Sequence, residues 1–156
     1  NQAIMKNPKF WQVSEVQITY RSYLQGATLP QINSSRDAET IFRENWSDDI
    51  EFLEEFVVLF LNKANRVKGL FRASRGGTCG TVVDAKIVFA AALKAMAAGI
   101  IVAHNHPSGS LIPSQADINL TKKLRAAGEA LEMPVLDHVI LAPYNGYYSF
   151  ADEGAL

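Results

Sequence analysis

The chain is predicted to be a single α/β domain, one mixed β-sheet with helices on its faces. Three observations say so. Short apolar, β-branched runs at residues 56–61, 99–103 and 135–141 read as buried strands. Stretches with apolar residues at helical spacing follow Ser34, Asp84 and Ser114, so strands and helices alternate along the chain. The 156 residues are 48% hydrophobic and 20% charged, enough for one core and ordinary for a globular protein. Alternating strands and helices joined with two hairpins make a mixed sheet in an α/β sandwich.

Residues 1–10 are polar and carry Pro8, and are expected to form a loose arm. Residues 12–20 alternate, with Val16, Ile18 and Tyr20 on one face, and predict an edge strand. Residues 21–33 contain Gly26 and Pro30 and read as a loop. Ser34 and Asp37 form a capping box for a helix to about Trp46, with Ala38, Ile41, Phe42, Asn45 and Trp46 as its core-facing stripe. An acidic run follows, ending in Glu54 and Glu55.

Residues 56–61 are the next strand. Residues 62–65 turn the chain, and residues 66–73 return antiparallel. Residues 76–80, Gly-Gly-Thr-Cys-Gly, are a flexible loop. They do not make a phosphate cradle, because no Gly-Lys-Ser/Thr ending or helix follows directly. Asp84 caps a helix to about Ala98 that is apolar nearly all round and is therefore expected to be central and buried. Gly99 is expected to stop it. A helix from Ser114 to about Leu131 turns Leu120, Leu124, Ala127 and Leu131 inward and Lys122, Lys123 and Arg125 mostly outward. Residues 135–141 form a strand, 143–146 a turn and 147–150 the last strand.

The chemistry concentrates in residues 103–120, AHNHPSGSLIPSQADINL. If the strand that starts at Gly99 continues to His106, then His104 and His106 share a face, because side chains alternate with period 2. Two imidazoles side by side suit a borderline-soft ion. Pro107-Ser108-Gly109-Ser110 turns the chain, and Ser114 is the expected N-cap of the next helix, with Asp117 in its first turn. Ten residues separate His106 from Asp117, enough to fold the carboxylate back onto both rings. Two histidines and a carboxylate with a fourth position open is the pattern of a catalytic zinc site. His-x-His alone is a weak signal and Ser-x-x-Asp alone is a capping box; the combination at fixed spacing is what carries weight.

At this spacing the sequence resembles the JAMM/MPN metalloprotease motif, His-x-His-x7-Ser-x-x-Asp with an upstream Glu. HNHPSG followed by PSQAD is most similar to its bacterial RadC-type branch, where Asn stands between the histidines as Asn105 does here. Residues 54–62 resemble the family's Glu-bearing strand, and residues 136–140 and 148–150 its closing strands. The likeness runs from about residue 32 to 154. Residues 1–31 are therefore assigned to the arm and edge strand, and residues 32–156 to the domain. The resemblance implies a JAMM/MPN-like α/β fold and one Zn2+ per chain, with His104, His106 and Asp117 as metal ligands. It further implies Ser114 as oxyanion donor and a catalytic base at Glu54, with Glu55 as the alternative. Glu54 is preferred because RadC-type sequences run Glu-x-Phe and Phe56 follows at that spacing. His138, on the face opposite Val139, is either a structural histidine or a partner of the ligands.

The implied activity is hydrolysis of a peptide or isopeptide bond in a protein or peptide substrate. The alternatives are a DNA-repair or DNA-processing factor and a non-catalytic metal-bound interaction module. A formal net charge of −1 does not support a broad grip on nucleic acid. Arg66, Lys68, Arg72 and Arg75 could form a local patch, but a solvated strand edge is the simpler expectation. One cysteine, Cys79, allows no intramolecular disulfide, which fits a reducing, cytoplasmic setting, and it reads as a small residue in a turn. No signal peptide is legible, no part long enough for the helix-hairpin-helix unit of longer RadC proteins precedes the domain, and no uncharged run is long enough for a membrane span. The oligomeric state is left open.

Overall fold

Among the described residues, five strands pair into one sheet and three helices cover it. The computed structural model describes residues 29–76, 82–144 and 146–156. The expected strand at 12–20 and most of the loop with Cys79 lie outside these residues. In chain order the elements are α1 (Ser35–Glu44), β1 (Glu55–Leu61), β2 (Val67–Arg75), α2 (Ala85–Lys94), β3 (Gly99–Asn105), α3 (Gln115–Ala130), β4 (Val135–Leu141) and β5 (Tyr147–Ser149). The sheet order is β2-β1-β3-β4-β5, with β3 and β4 parallel and the other neighbours antiparallel. This is the mixed sheet and α/β class expected from the sequence.

β1 and β3 are buried at every position, as strands covered on both faces must be. Their alternate residues feed two cores. Phe56, Val58, Phe60, Ile100 and Val102 pack with Val88, Phe89 and Ala92 of α2 and Leu124 of α3. Val57, Leu59, Leu61, Ile101 and Ala103 pack with Ala38 and Phe42 of α1. The capping box at Ser34 and Asp37 starts α1, and the Asp84 side chain accepts from the Lys86 N–H to start α2. At the β1–β2 turn the Asn62 side chain accepts from the N–H groups of Ala64 and Arg66.

Several expectations need correction. α1 ends at Glu44, and Asn45 is exposed, its side chain turned back to the Ile41 carbonyl. α2 is not buried all round: Ile87 and Leu93 are 52% and 45% exposed, because only one side of the helix meets the sheet. It also stops early, at Ala95, where Met96 takes a left-handed backbone (φ 51°). Gly99 opens β3 rather than ending α2. A Cβ there would sit 3.3 Å from the Pro134 carbonyl oxygen, so the residue permits a close approach to the start of β4. Leu131 is the C-cap of α3 and faces solvent.

Gly128 in α3 gives a stability prediction with an unusual sign. Glycine to alanine inside a helix ordinarily stabilises by about 0.5–1 kcal/mol. At Gly128 a new Cβ would lie 2.5 Å from the Met133 carbonyl oxygen, where the chain doubles back into β4. Gly128→Ala should therefore lower stability by about 1–3 kcal/mol, the range for overpacking a tight contact. A thermal melt with a higher midpoint than the parent would refute this.

Candidate metal centre

β3 ends at Asn105, and the chain runs straight on through His106, whose N–H bonds the Leu141 carbonyl at the end of β4. The period of the strand then brings His104 and His106 to the α2/α3 side of the sheet, their ring centroids 4.8 Å apart. α3 brings the third group. Ser114 Oγ accepts from the Asp117 N–H at 3.2 Å and Asp117 Oδ2 accepts from the Ser114 N–H at 2.7 Å, so the capping box also orients the carboxylate.

The three side chains meet. His104 Nε2 lies 3.0 Å from His106 Nε2 and 3.2 Å from Asp117 Oδ1, and His106 Nε2 lies 3.5 Å from Asp117 Oδ2. Ligand atoms about 2.0–2.1 Å from a tetrahedral ion stand roughly 3.3–3.4 Å from one another; the two ring nitrogens approach that separation, and Asp117 meets each ring through a different carboxylate oxygen. His106 Nδ1 is 2.8 Å from the Ser110 carbonyl oxygen. A carbonyl only accepts, so Nδ1 carries a proton, and Nε2 is the nitrogen turned toward Asp117. Two ring nitrogens this close, beside a carboxylate, call for a shared cation or proton. His104, His106 and Asp117 form a group that could hold a metal ion.

The electrostatics fit the same picture. Burial alone would raise the Asp117 pKa, but hydrogen bonds from His104 and His106 outweigh it and hold the carboxyl well below the usual range. His106 is pushed up, first by its hydrogen bond to Asp117, against the opposing effect of burial, with the Ser110 carbonyl and the charges of Asp117 and Glu54 helping.

The two glutamates separate cleanly. Phe56 pairs with His104 across β1 and β3, and their rings stack at 6.3 Å. Glu54 precedes Phe56 by two residues, which returns it to the histidine side; it is half-buried and its charge is felt at His106. Glu55 is only 2% exposed. Its carboxylate accepts from Arg72 at 3.2 Å and Ser47 at 3.0 Å, with the Arg75 guanidinium also at 3.2 Å. The four basic residues that could have formed a patch are thus used within the fold: Arg72 and Arg75 on Glu55, Arg66 on the Leu29 carbonyl, Lys68 on the carbonyls of Ala95 and Met96.

Two features escaped sequence reasoning. Asn105, fully buried between the histidines in sequence, projects to the other face. Its Oδ1 accepts from the Glu55 N–H at 2.8 Å, and its Nδ2 donates to the carbonyls of Ile50 and Leu53 at 2.7 and 2.8 Å. It therefore ties down the segment that carries Glu54. The period of the strand was the available signal, since it sends a polar residue into an apolar core. The second is Thr121, one helical turn after Asp117, which joins His138 beneath His104.

An α/β domain with a histidine–carboxylate group at the end of its central strands is the class this geometry defines. Residues 32–155 match the RadC-like JAB domain, and the chain belongs to that family. It is 48% identical over 126 residues to a UPF0758 protein of Flavobacterium johnsoniae, covering 81% of this chain and 54% of that one. A UPF0758 protein of Porphyromonas gingivalis is 41% identical over 103 residues, covering 66% of this chain and 45% of that one. One of Clostridium botulinum is 32% identical over 146 residues, covering 92% and 61%. The chain spans about half the length of the curated relatives it matches. No helix among the described residues is long and apolar enough to cross a membrane.

Proposed function

We propose that this domain is a zinc-dependent metallopeptidase-like hydrolase that cleaves a peptide or isopeptide bond in a protein or peptide substrate. The observation that carries the reading is the convergence of His104, His106 and Asp117 into one cluster of possible ligand atoms, with Glu54 at the head of the strand that pairs with the His104 strand. Membership of a JAB family supports it. The donor set of two imidazoles and one carboxylate is that of a catalytic zinc.

Zinc held there supplies an acidified water, its pKa lowered to about 7, and a Lewis acid for a carbonyl. The protein side chains do the rest. Glu54 takes a proton from the attacking water and returns it to the departing amine, acting as base and then acid. Ser114 accepts the Asp117 N–H through a lone pair and keeps its own proton to donate to the developing oxyanion, since a hydroxyl does both. Removing one such donor elsewhere raises the barrier by roughly 2.7–4 kcal/mol. His106, fixed by the Ser110 carbonyl, presents Nε2 without rearrangement. Glu55 neutralises Arg72 and Arg75 and takes no part in the chemistry.

The test is metal content and hydrolysis in one preparation. Protein purified without added metal is expected to hold close to one zinc per chain and to cleave members of a panel of peptide and isopeptide-linked substrates. A strong chelator should stop the cleavage and added zinc restore it. A protein that takes up no zinc even on reconstitution would overturn the reading.

A further inference from the structure

We infer that His138 and Thr121 form a positioning device that presets His104 to offer Nε2, and not Nδ1, to a metal. The inference rests on the metal-site reading above and extends it to two residues that touch no metal. Thr121 Oγ1 donates to the Asp117 carbonyl at 2.6 Å. The same oxygen is 2.6 Å from His138 Nδ1. A hydroxyl has one proton, already committed to the carbonyl, so Thr121 accepts from His138 and Nδ1 of His138 carries the hydrogen. His138 is fully buried, stacked on Phe150 at 4.9 Å and edge-on to Phe56 at 5.6 Å. A charged ring there would be an ion among phenyl groups, so the ring is neutral and its Nε2 bears a lone pair. That lone pair is 2.8 Å from His104 Nδ1 and takes its proton. His104 Nδ1 is thus engaged by His138, and Nε2 is the ring nitrogen turned toward Asp117 Oδ1, at 3.2 Å.

The direction of every link follows from the first. The backbone carbonyl of Asp117 sets Thr121, Thr121 sets His138, and His138 sets His104. The chain therefore starts at the residue that supplies the third ligand and ends at the residue that supplies the first. It spans helix α3 and strands β4 and β3, so it also fixes the distance between the two ligands. Reversing it would strip Thr121 of its bond to Asp117 and place a hydrogen on His104 Nε2, where a metal must bind.

The experiment uses the intact chain, 15N-labelled at histidine, in zinc-free and zinc-loaded forms. Long-range 1H–15N spectra are expected to show His138 as the neutral Nδ1–H form in both, and His104 with its hydrogen on Nδ1 once zinc is bound. An Nε2–H form of His138 overturns the inference. Thr121→Val removes the anchor at nearly constant volume, and zinc affinity measured against a competing chelating dye should fall about 10–100-fold, as it does when groups behind a ligand are lost. Thr121→Ser should recover most of it. Unchanged affinity in a folded Thr121→Val chain also overturns the inference. If that variant does not fold, the spectra of the parent decide. If the parent binds no zinc, the metal-site reading fails and the His138 tautomer in the zinc-free protein still decides this one.

Discussion

Glu54→Gln should leave zinc content and thermal midpoint where they are and remove hydrolysis, while Glu55→Gln should keep hydrolysis and lower stability. The two residues are adjacent, but the strand sends them to opposite sides of the sheet. Glu54 is half-buried near His106, and its amide would keep shape while losing the capacity to accept a proton. Loss of a general base costs on the order of 10²–10⁴ in turnover. Glu55 is sealed under Arg72 and Arg75, with Ser47 as a further donor. Its replacement removes the counter-charge of Arg72, while Arg75 keeps Asp49. Both arginines are about half exposed, at 43% and 53%, so water recovers part of the loss. A cost of roughly 1–3 kcal/mol in stability is expected, the range for a charged hydrogen-bond partner removed from a buried site. Denaturant titration and turnover on the same four samples, parent, each single variant and the double, decide it. Full activity in Glu54→Gln would eliminate Glu54 as the base.

Asp117→Ala should lose both the metal and part of a helix. The carboxylate faces both histidines, and its Oδ2 also accepts the Ser114 N–H that opens α3. Alanine therefore removes a ligand, the anion between two imidazoles and half of a capping box. The cap is expected to cost about 0.5–2 kcal/mol even without metal. The larger effect appears with zinc present. A ligand at a thousand times its dissociation constant adds about 4.1 kcal/mol to stability, and the variant should forfeit that increment. Adding zinc should thus raise the parent's melting midpoint and leave that of Asp117→Ala nearly unmoved. A variant that gained as much from zinc as the parent would show that Asp117 is not a ligand.

The parts of the site that were legible in sequence are those encoded locally. His104 and His106 share a face by strand periodicity, and Ser114 and Asp117 are linked by helix-cap chemistry; both rules act over a few residues. The strand and helix order followed from the same short-range periods, so the α/β class was readable. What was not readable depends on register between distant strands. Arg72 and Arg75 looked like a solvated edge because their partner, Glu55, lies on a strand paired by a bulged ladder. Asn105 looked like a spacer between ligands because its bonds go to residues 50–55. The long apolar run of α2 read as wholly buried because periodicity reports which residues are apolar, not how many sides of a helix meet a neighbour.

The three candidate ligands all lie in residues 104–117, whereas Glu54 joins them only when β1 has aligned with β3, and His138 only when β4 has. Local pairs form early and long-range ladders late, because loop closure must come first. The candidate ligands therefore depend on one local segment, and Glu54 and His138 on pairings between distant strands. A change that parts β1 from β3 without touching residues 104–117 is thus expected to separate Glu54 from the cluster and leave the cluster itself together.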